Sequence, residues 1–229
     1  MINVSRVSRE TVKLRAYESL KRAILAGQFR PGEALTLRAI GERLGTSDMP
    51  IREALYRLVA ERALESLPNR SPRVPVLDAA RLIDILELRI MLEGMSAERA
   101  AAVISPAQLD EVKTAHIKAN EAIRREDPTD YLRWNTEFHF SIYRACPIAP
   151  LLPMIESLWL QYAPTFAISM DREGAIAGKL DEHDAVIEAL AARDGEAAKL
   201  ALQTDIRGPS NTPGFWEALN AKRQQLSTG

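Results

Sequence analysis

The sequence contains one cysteine, Cys146, in 229 residues. A single thiol excludes an internal disulfide framework and suits a reducing compartment; its ordinary reading is a small apolar core residue. Only three histidines are present, His116, His139 and His183, so imidazole chemistry has few places to reside. No apolar run approaches a bilayer span, and the amino terminus, with Arg6, Arg9, Lys13 and Arg15 in a polar stretch, carries no signal region. These absences point to a cytoplasmic protein with no membrane partner. Net charge is also nearly absent, at -1, but this is the sum of two unequal parts. Residues 1 to 76 hold 14 Lys and Arg against 8 Asp and Glu, a net of +6, whereas residues 77 to 229 hold 16 against 23, a net of -7. A basic first part joined to an acidic remainder suits nucleic-acid binding by the former, although a charge imbalance of this size can also be only a solvated face.

The length fits two domains, and 46% apolar composition is enough for real cores. The expected fold is mainly α: a winged helix-turn-helix over residues 1–77, then an all-α helical bundle over 78–229. Residues 1–10 read as a loose arm. Thr11 to Ala26 reads as a first helix, with Val12, Ala16, Leu20, Ala23 and Ile24 inward, stopped by Gly27 and by Pro31-Gly32. Leu37 to Leu44, the turn Gly45-Thr46-Ser47 and a helix from Asp48 to Arg62 have helix-turn-helix spacing. Ser47 can cap the second of these helices, Asp48 suits its positive end, and Pro50 is tolerable in its first turn. Ile51, Ala54, Leu55, Leu58 and Val59 share one face, leaving Met49, Arg52, Glu53, Tyr56 and Arg57 on the other. Leu64 to Val76 reads as a short hairpin around Asn69 and Arg70, limited to edge pairing by Pro72 and Pro75, and a basic hairpin there is a wing for a DNA backbone. The plainer alternative is a helical pair with a loop that binds nothing.

The remainder reads as helices near residues 79–104, 106–126, 128–145, 149–170, 172–193 and 195–207, followed by a tail with a short helix at 215–225. Polar groups interrupt their apolar stripes. Arg89 and Glu93 lie at the centre of the stripe formed by Leu82, Ile85, Leu86, Leu92, Ala97, Ala100 and Val103. Asn135 and His139 lie among Tyr131, Leu132, Phe138, Ile142 and Tyr143; His183 lies among Ile176, Leu180, Val186, Ile187 and Leu190; Asp205 accompanies Ala198, Ala201 and Leu202. Burying such groups without partners costs several kcal/mol each, so they should meet one another or a ligand. Asn135 and His139 are four apart, a spacing that can present two ligands to one metal, and His183 and Asp205 could complete the site. A hydrogen-bonded core histidine is the plainer reading of each alone. Arg89 matches an anionic ligand, or else forms an internal ion pair with Glu93. His116, with no comparable partners in the pattern, reads as a surface histidine. Two histidines and one aspartate are also the composition of a metal-dependent enzyme site, but no additional general base is evident.

Two sets of motifs resemble the GntR family of bacterial transcription regulators. The first is Leu25-Ala26-Gly27-Gln28-Phe29-Arg30-Pro31-Gly32-Glu33-Ala34-Leu35, Ala39 to Ser47, Pro50-Ile51-Arg52-Glu53-Ala54-Leu55 and Leu58 to Leu64. The second, Leu88 to Glu93, Asn135 to His139, Glu182-His183 with Ala185 and Ile187, and Ala189-Leu190 to Ala198, resembles the FadR-like, or FCD-type, effector domain of that family over roughly residues 80–207. The resemblance implies a homodimer acting on a roughly palindromic operator, with Arg38, Ser47, Met49, Arg52, Asn69 and Arg70 facing DNA. It also implies a small carboxylate effector near Arg89 and Glu93, and a divalent metal such as zinc or nickel at Asn135, His139, His183 and Asp205. Where the family has aspartate this chain has Asn135, and where it has histidine this chain has Asp205, so a harder cation becomes plausible. The position after Ser47, usually arginine, is Asp48, so the operator sequence cannot be borrowed.

Overall fold

The computed structural model describes residues 9–169, 181–211 and 216. Within them the chain forms α1 (Arg9–Leu25), α2 (Leu37–Leu44), α3 (Asp48–Ala60), α4 (Ala79–Val103), α5 (Pro106–Arg124), α6 (Pro128–Ala145), α7 (Leu151–Ser169), α8 (Asp181–Ala192) and α9 (Gly195–Asn211). The sequence expectation at 1–8, at 172–180 and over most of 215–225 lies outside the described residues. None of the described helices is long and apolar enough to cross a membrane.

Capping explains most of the boundaries. Thr36 accepts a hydrogen bond from the Ala39 amide to begin α2, which closes at Gly45 in the left-handed region. Asp78 does the same for Arg81 at α4, Asp127 for Asp130 at α6, and Ser105 with Gln108 forms a capping box at α5. Ser47 departs from expectation: it occupies the cap position of α3 in extended geometry, but its side chain makes no capping bond. The hydroxyl is instead left outward on an exposed residue. α9 also runs farther than expected, through Pro209 to Asn211. Pro209 has no amide hydrogen, so this last turn lacks the bond to the carbonyl four residues before it.

Two apolar cores result. Ala16, Tyr17, Leu20 and Ile24 of α1 close over Ile40 of α2 and Ile51, Leu55 and Leu58 of α3, with Leu64 and Val74. Each fully buried aliphatic side chain contributes roughly 1.5–3 kcal/mol. The expected wing hairpin is reduced to isolated antiparallel bridges, Glu65 with Arg73 and Ala34 with Arg73. Pro72 and Pro75, without amide hydrogens, allow no longer ladder. Asn69 turns the wing at φ 56°, a left-handed conformation asparagine tolerates. The second core joins α4 to α9: α4 packs on α9 and α7, α5 on α6, and α8 on α9.

α7 belongs to both cores. Trp159, Tyr162 and Ala163 are in the second, while Leu160 is buried in the first. On the same side Glu156 pairs with Lys21 of α1 at 2.7 Å, and the Ser157 hydroxyl donates to the Glu61 carbonyl at the end of α3 at 3.3 Å. Tyr17 donates to the Glu61 carboxylate at 2.8 Å, so the same residue ties α3 to α1. Gly27 completes the junction at φ +65°, where an added Cβ would stand 2.5 Å from the Ala167 Cβ of α7. A Gly27→Ala substitution should therefore cost on the order of 1–3 kcal/mol from strain and overlap together. Urea denaturation will read it as a lowered midpoint, and an unshifted midpoint would contradict the contact.

Candidate functional site

The polar residues singled out on α4, α6, α8 and α9 converge inside the second core. Arg89 and Glu93, four apart on α4, form a buried ion pair, with Nε 2.6 Å and Nη2 3.3 Å from the two carboxylate oxygens. Aromatic rings flank the guanidinium: its carbon lies 4.3 Å from the Trp159 centroid and 4.2 Å from that of Tyr162. Of the two readings of Arg89, this geometry is the internal pair. Tyr143 on α6 donates a short hydrogen bond to Glu93, and its oxygen lies 3.0 Å from His139 Nδ1. Burial pushes the Tyr143 hydroxyl well above its usual range, aided by the charge of Glu93, so it remains a neutral donor.

That arrangement fixes a tautomer. A tyrosine hydroxyl already donating to Glu93 can only accept from His139, which places the hydrogen on Nδ1 and leaves Nε2 with its lone pair. Nε2 faces Asp205 Oδ2 at 3.1 Å, and His183 Nε2 lies 3.5 Å from Asp205 Oδ1. In the neutral ring, a bare imidazole nitrogen and a carboxylate oxygen repel unless a positive charge, a proton or a metal ion, lies between them. The donor atoms of His139, His183 and Asp205 all lie within 4.8 Å of one another, and both ring nitrogens of His183 are buried without a hydrogen-bond partner. Two imidazoles and a carboxylate with orphaned nitrogens fit a divalent cation. Asn135 is buried one turn before His139, and its Oδ1 accepts from the Tyr131 hydroxyl at 3.4 Å.

His183 stacks on Phe138 at 3.8 Å between centroids. Burial lowers its pKa to about 3, outweighing the upward pull of Asp205. Burial pushes Asp205 the other way, but the adjoining His183 and His139 prevail and hold its carboxyl below the usual range. His116 contradicts the expectation of a surface histidine. It is buried, its Nε2 is 2.9 Å from Asp184 Oδ1 and 3.0 Å from Asn120 Nδ2, and its ring lies 5.7 Å from that of His183. The spacing carried the signal, since Val112, Ala115, His116 and Ala119 share one helical face. Trp159 was also missed. α7 is so uniformly apolar that no face stands out, yet Trp159 lies beside both Arg89 and His139 and its indole nitrogen is buried without a partner.

In the first domain Arg38, Ser47, Met49, Arg52, Asn69 and Arg70 are all exposed. Arg52 and Tyr56 of α3 and Asn69, Arg70 and Ser71 of the wing border one groove of about 700 Å³. Arg38 lies on α2, paired with Glu42 at 3.1 Å. An exposed arginine in such a groove can fork onto a guanine edge or hold a phosphate.

A helix-turn-helix with a wing, joined to a helical domain with an internal polar site, is the architecture of a transcriptional regulator. Residues 12–74 match the gntR family of bacterial regulatory proteins, and residues 84–208 match the FCD domain. The chain belongs to the GntR family, in its FadR-like group with an FCD domain, and is a transcriptional regulator rather than an enzyme. It is similar to the HTH-type transcriptional regulator McbR of Escherichia coli K12, with 27% identity over 204 residues, 88% of this chain and 92% of McbR. It is also similar to the HTH-type transcriptional repressor GlaR of the same strain, with 29% identity over 206 residues, 86% of this chain and 93% of GlaR. The solved structure of E. coli McbR/YncC superposes with a TM-score of 0.78 at 26% identity, covering 95% of this chain and 97% of that one.

The pH dependence of the metal-free protein follows from His183. Its folded pKa of about 3 lies below the ordinary 6.5, so acid favours the unfolded chain. The stability it contributes is fully present above about pH 6.5 and is lost as pH falls toward 3, amounting to several kcal/mol. Asp205, also lowered, adds a loss only below the ordinary carboxylate range. Urea midpoints measured on chelator-treated protein should fall between pH 7 and pH 4.5, and less so in His183→Gln. Equal pH sensitivity in the two proteins would refute the assignment to His183.

Proposed function

We propose that this regulator acts in the cytoplasm as a homodimer on paired operator half-sites. Residues 1–77 would bind DNA, and residues 78–229 would sense a small organic acid through a divalent metal and dimerise. The observation that carries the metal is the confrontation of His139 Nε2, whose hydrogen is committed to the other nitrogen by Tyr143, with Asp205 Oδ2 at 3.1 Å. His139, His183 and Asp205 would hold the ion, with Asn135 as the weakest member of the set. When bound, a divalent cation would supply positive charge and coordination positions for a carboxylate. Zinc and nickel suit the imidazoles, and the carboxylate with an amide admits a harder cation.

Arg89 has Nε and Nη2 on Glu93, so its fork is already committed to that carboxylate. Arg89 therefore acts on the effector through charge balance, with Glu93 and Tyr143 holding the His139 ring. Trp159, whose buried N–H has no acceptor, is the direct donor we assign to an effector oxygen. Support for a second copy comes from Leu88, Met91 and Met95, exposed at helical spacing along α4. On DNA, Arg52 would read a base while Arg38 and Arg70 hold phosphates and Ser47, Met49 and Asn69 complete the face; Asp48 at the start of α3 makes the preferred sequence this chain's own.

Two measurements test the reading. Zinc and nickel titrated into chelator-treated protein should bind at one site per chain, and His139→Ala or Asp205→Ala should remove most of that affinity. Undiminished metal stoichiometry in both variants would eliminate the site. Arg52→Ala should weaken specific operator binding by roughly 1–3 kcal/mol and relax preference at one base position. Footprints of parent quality from this variant would remove Arg52 from the interface.

A further inference from the structure

Each metal-facing imidazole needs a partner at its other nitrogen, and the two histidines are supplied differently. His139 has a complete chain behind it: Nδ1 to Tyr143, Tyr143 to Glu93, Glu93 to Arg89. His183 has none; its Nδ1 is buried and without a hydrogen-bond partner. His116 Nδ1 is also buried without a partner, and the two rings lie 5.7 Å apart at an interplanar angle of 57°.

The chemistry of the two orphans is complementary. Asp184 Oδ1, 2.9 Å from His116 Nε2, can accept but not donate, so it places the ring hydrogen on Nε2 and leaves the Nδ1 lone pair free. Asn120, 3.0 Å from the same nitrogen, is compatible when its amide oxygen is turned toward the ring. His183, coordinating through Nε2, carries its hydrogen on Nδ1 and needs an acceptor. One is a buried donor and the other a buried acceptor on adjoining rings, and each left alone costs about 1–3 kcal/mol.

We infer that His116 is the positioning residue for His183: with Asp184 and Asn120 behind it, its Nδ1 accepts from one buried water that in turn accepts from His183 Nδ1–H, and so holds the tautomer that presents Nε2 to the metal. The inference rests on the metal site proposed above. α5 thereby becomes the sixth helix contributing to the centre, beside α4, α6, α7, α8 and α9, through a residue that touches neither metal nor effector. Stacking of His183 on Phe138 fixes the plane of the ring, and His116 fixes which nitrogen bears the hydrogen.

The test combines zinc affinity, by competition with a chromophoric chelator, with long-range proton–nitrogen spectra of the histidine rings in zinc-loaded protein. His116→Ala should lower zinc affinity about 10- to 100-fold. His116→Asn, whose Oδ1 can stand where Nδ1 stood, should recover affinity to within a few-fold of the parent. In the parent spectra His116 should be the Nε2–H tautomer and His183 the Nδ1–H tautomer, a readout that needs no variant to fold. Parent-like affinity in His116→Ala, an asparagine variant as weak as the alanine one, or a His116 bearing its hydrogen on Nδ1 each overturns the inference while leaving the metal site standing. Failure of the parent itself to bind zinc would instead sink the metal site, and this role with it.

Discussion

The buried pair of Arg89 and Glu93 is the constraint from which the interior of the second domain follows. Glu93 is fully enclosed and Arg89 nearly so, and neither charge could remain there alone. Removing one partner of such a pair typically costs about 3–5 kcal/mol, because the survivor stays charged and desolvated. The pair nevertheless does more than neutralise itself. Glu93 has acceptor capacity left over, and this draws in the Tyr143 hydroxyl, whose commitment decides the tautomer of His139. A hydrogen-bond sequence starting at a salt bridge on α4 thus determines which atom of α6 confronts Asp205 on α9. The charge of Arg89 is required at one end so that a lone pair is available at the other.

α7 carries the result outward. Its Trp159 and Tyr162 clasp Arg89, and Leu160, between them in sequence, lies in the core of the DNA-binding domain. Any rearrangement that moves the aromatic clasp must also move a side chain on which α1 and α3 pack. The Ser157 bond to the Glu61 carbonyl and the Lys21–Glu156 pair act at the same end of the helix. One helix with two buried faces is the element through which the proposed sensing would reach the first domain.

Much of this was legible in the sequence, and some of the failures share a cause. Helices α4 to α6 announced themselves by period, and the polar interruptions at Arg89, Glu93, Asn135, His139, His183 and Asp205 were visible as such. Periodicity reports which face a residue occupies but not what it meets there. So Tyr143 was counted as apolar lining although its hydroxyl orders the site, and His116 was placed in solvent although Val112, Ala115 and Ala119 share its face, because its partner Asp184 lies on another helix. Trp159 sat in a helix with no polar face to contrast with it. Ser47 has the right residue type and backbone for a cap without making the bond, and the wing lost its ladder to Pro72 and Pro75. For Tyr143 and Trp159 the deciding contacts were made between elements, where sequence spacing is silent.

Leu160 also bears on how such chains can be recombined. A cut at residue 77, where the two motif sets meet, would leave the amino-terminal fragment with a cavity in place of that leucine and an apolar wall facing water. Grafting this DNA-reading portion onto another sensor would succeed only if the incoming helix offered a side chain of similar volume at the same place. The boundary that matters for modularity thus lies not between two stretches of chain but along the surface of a single helix, and its two faces must change in concert.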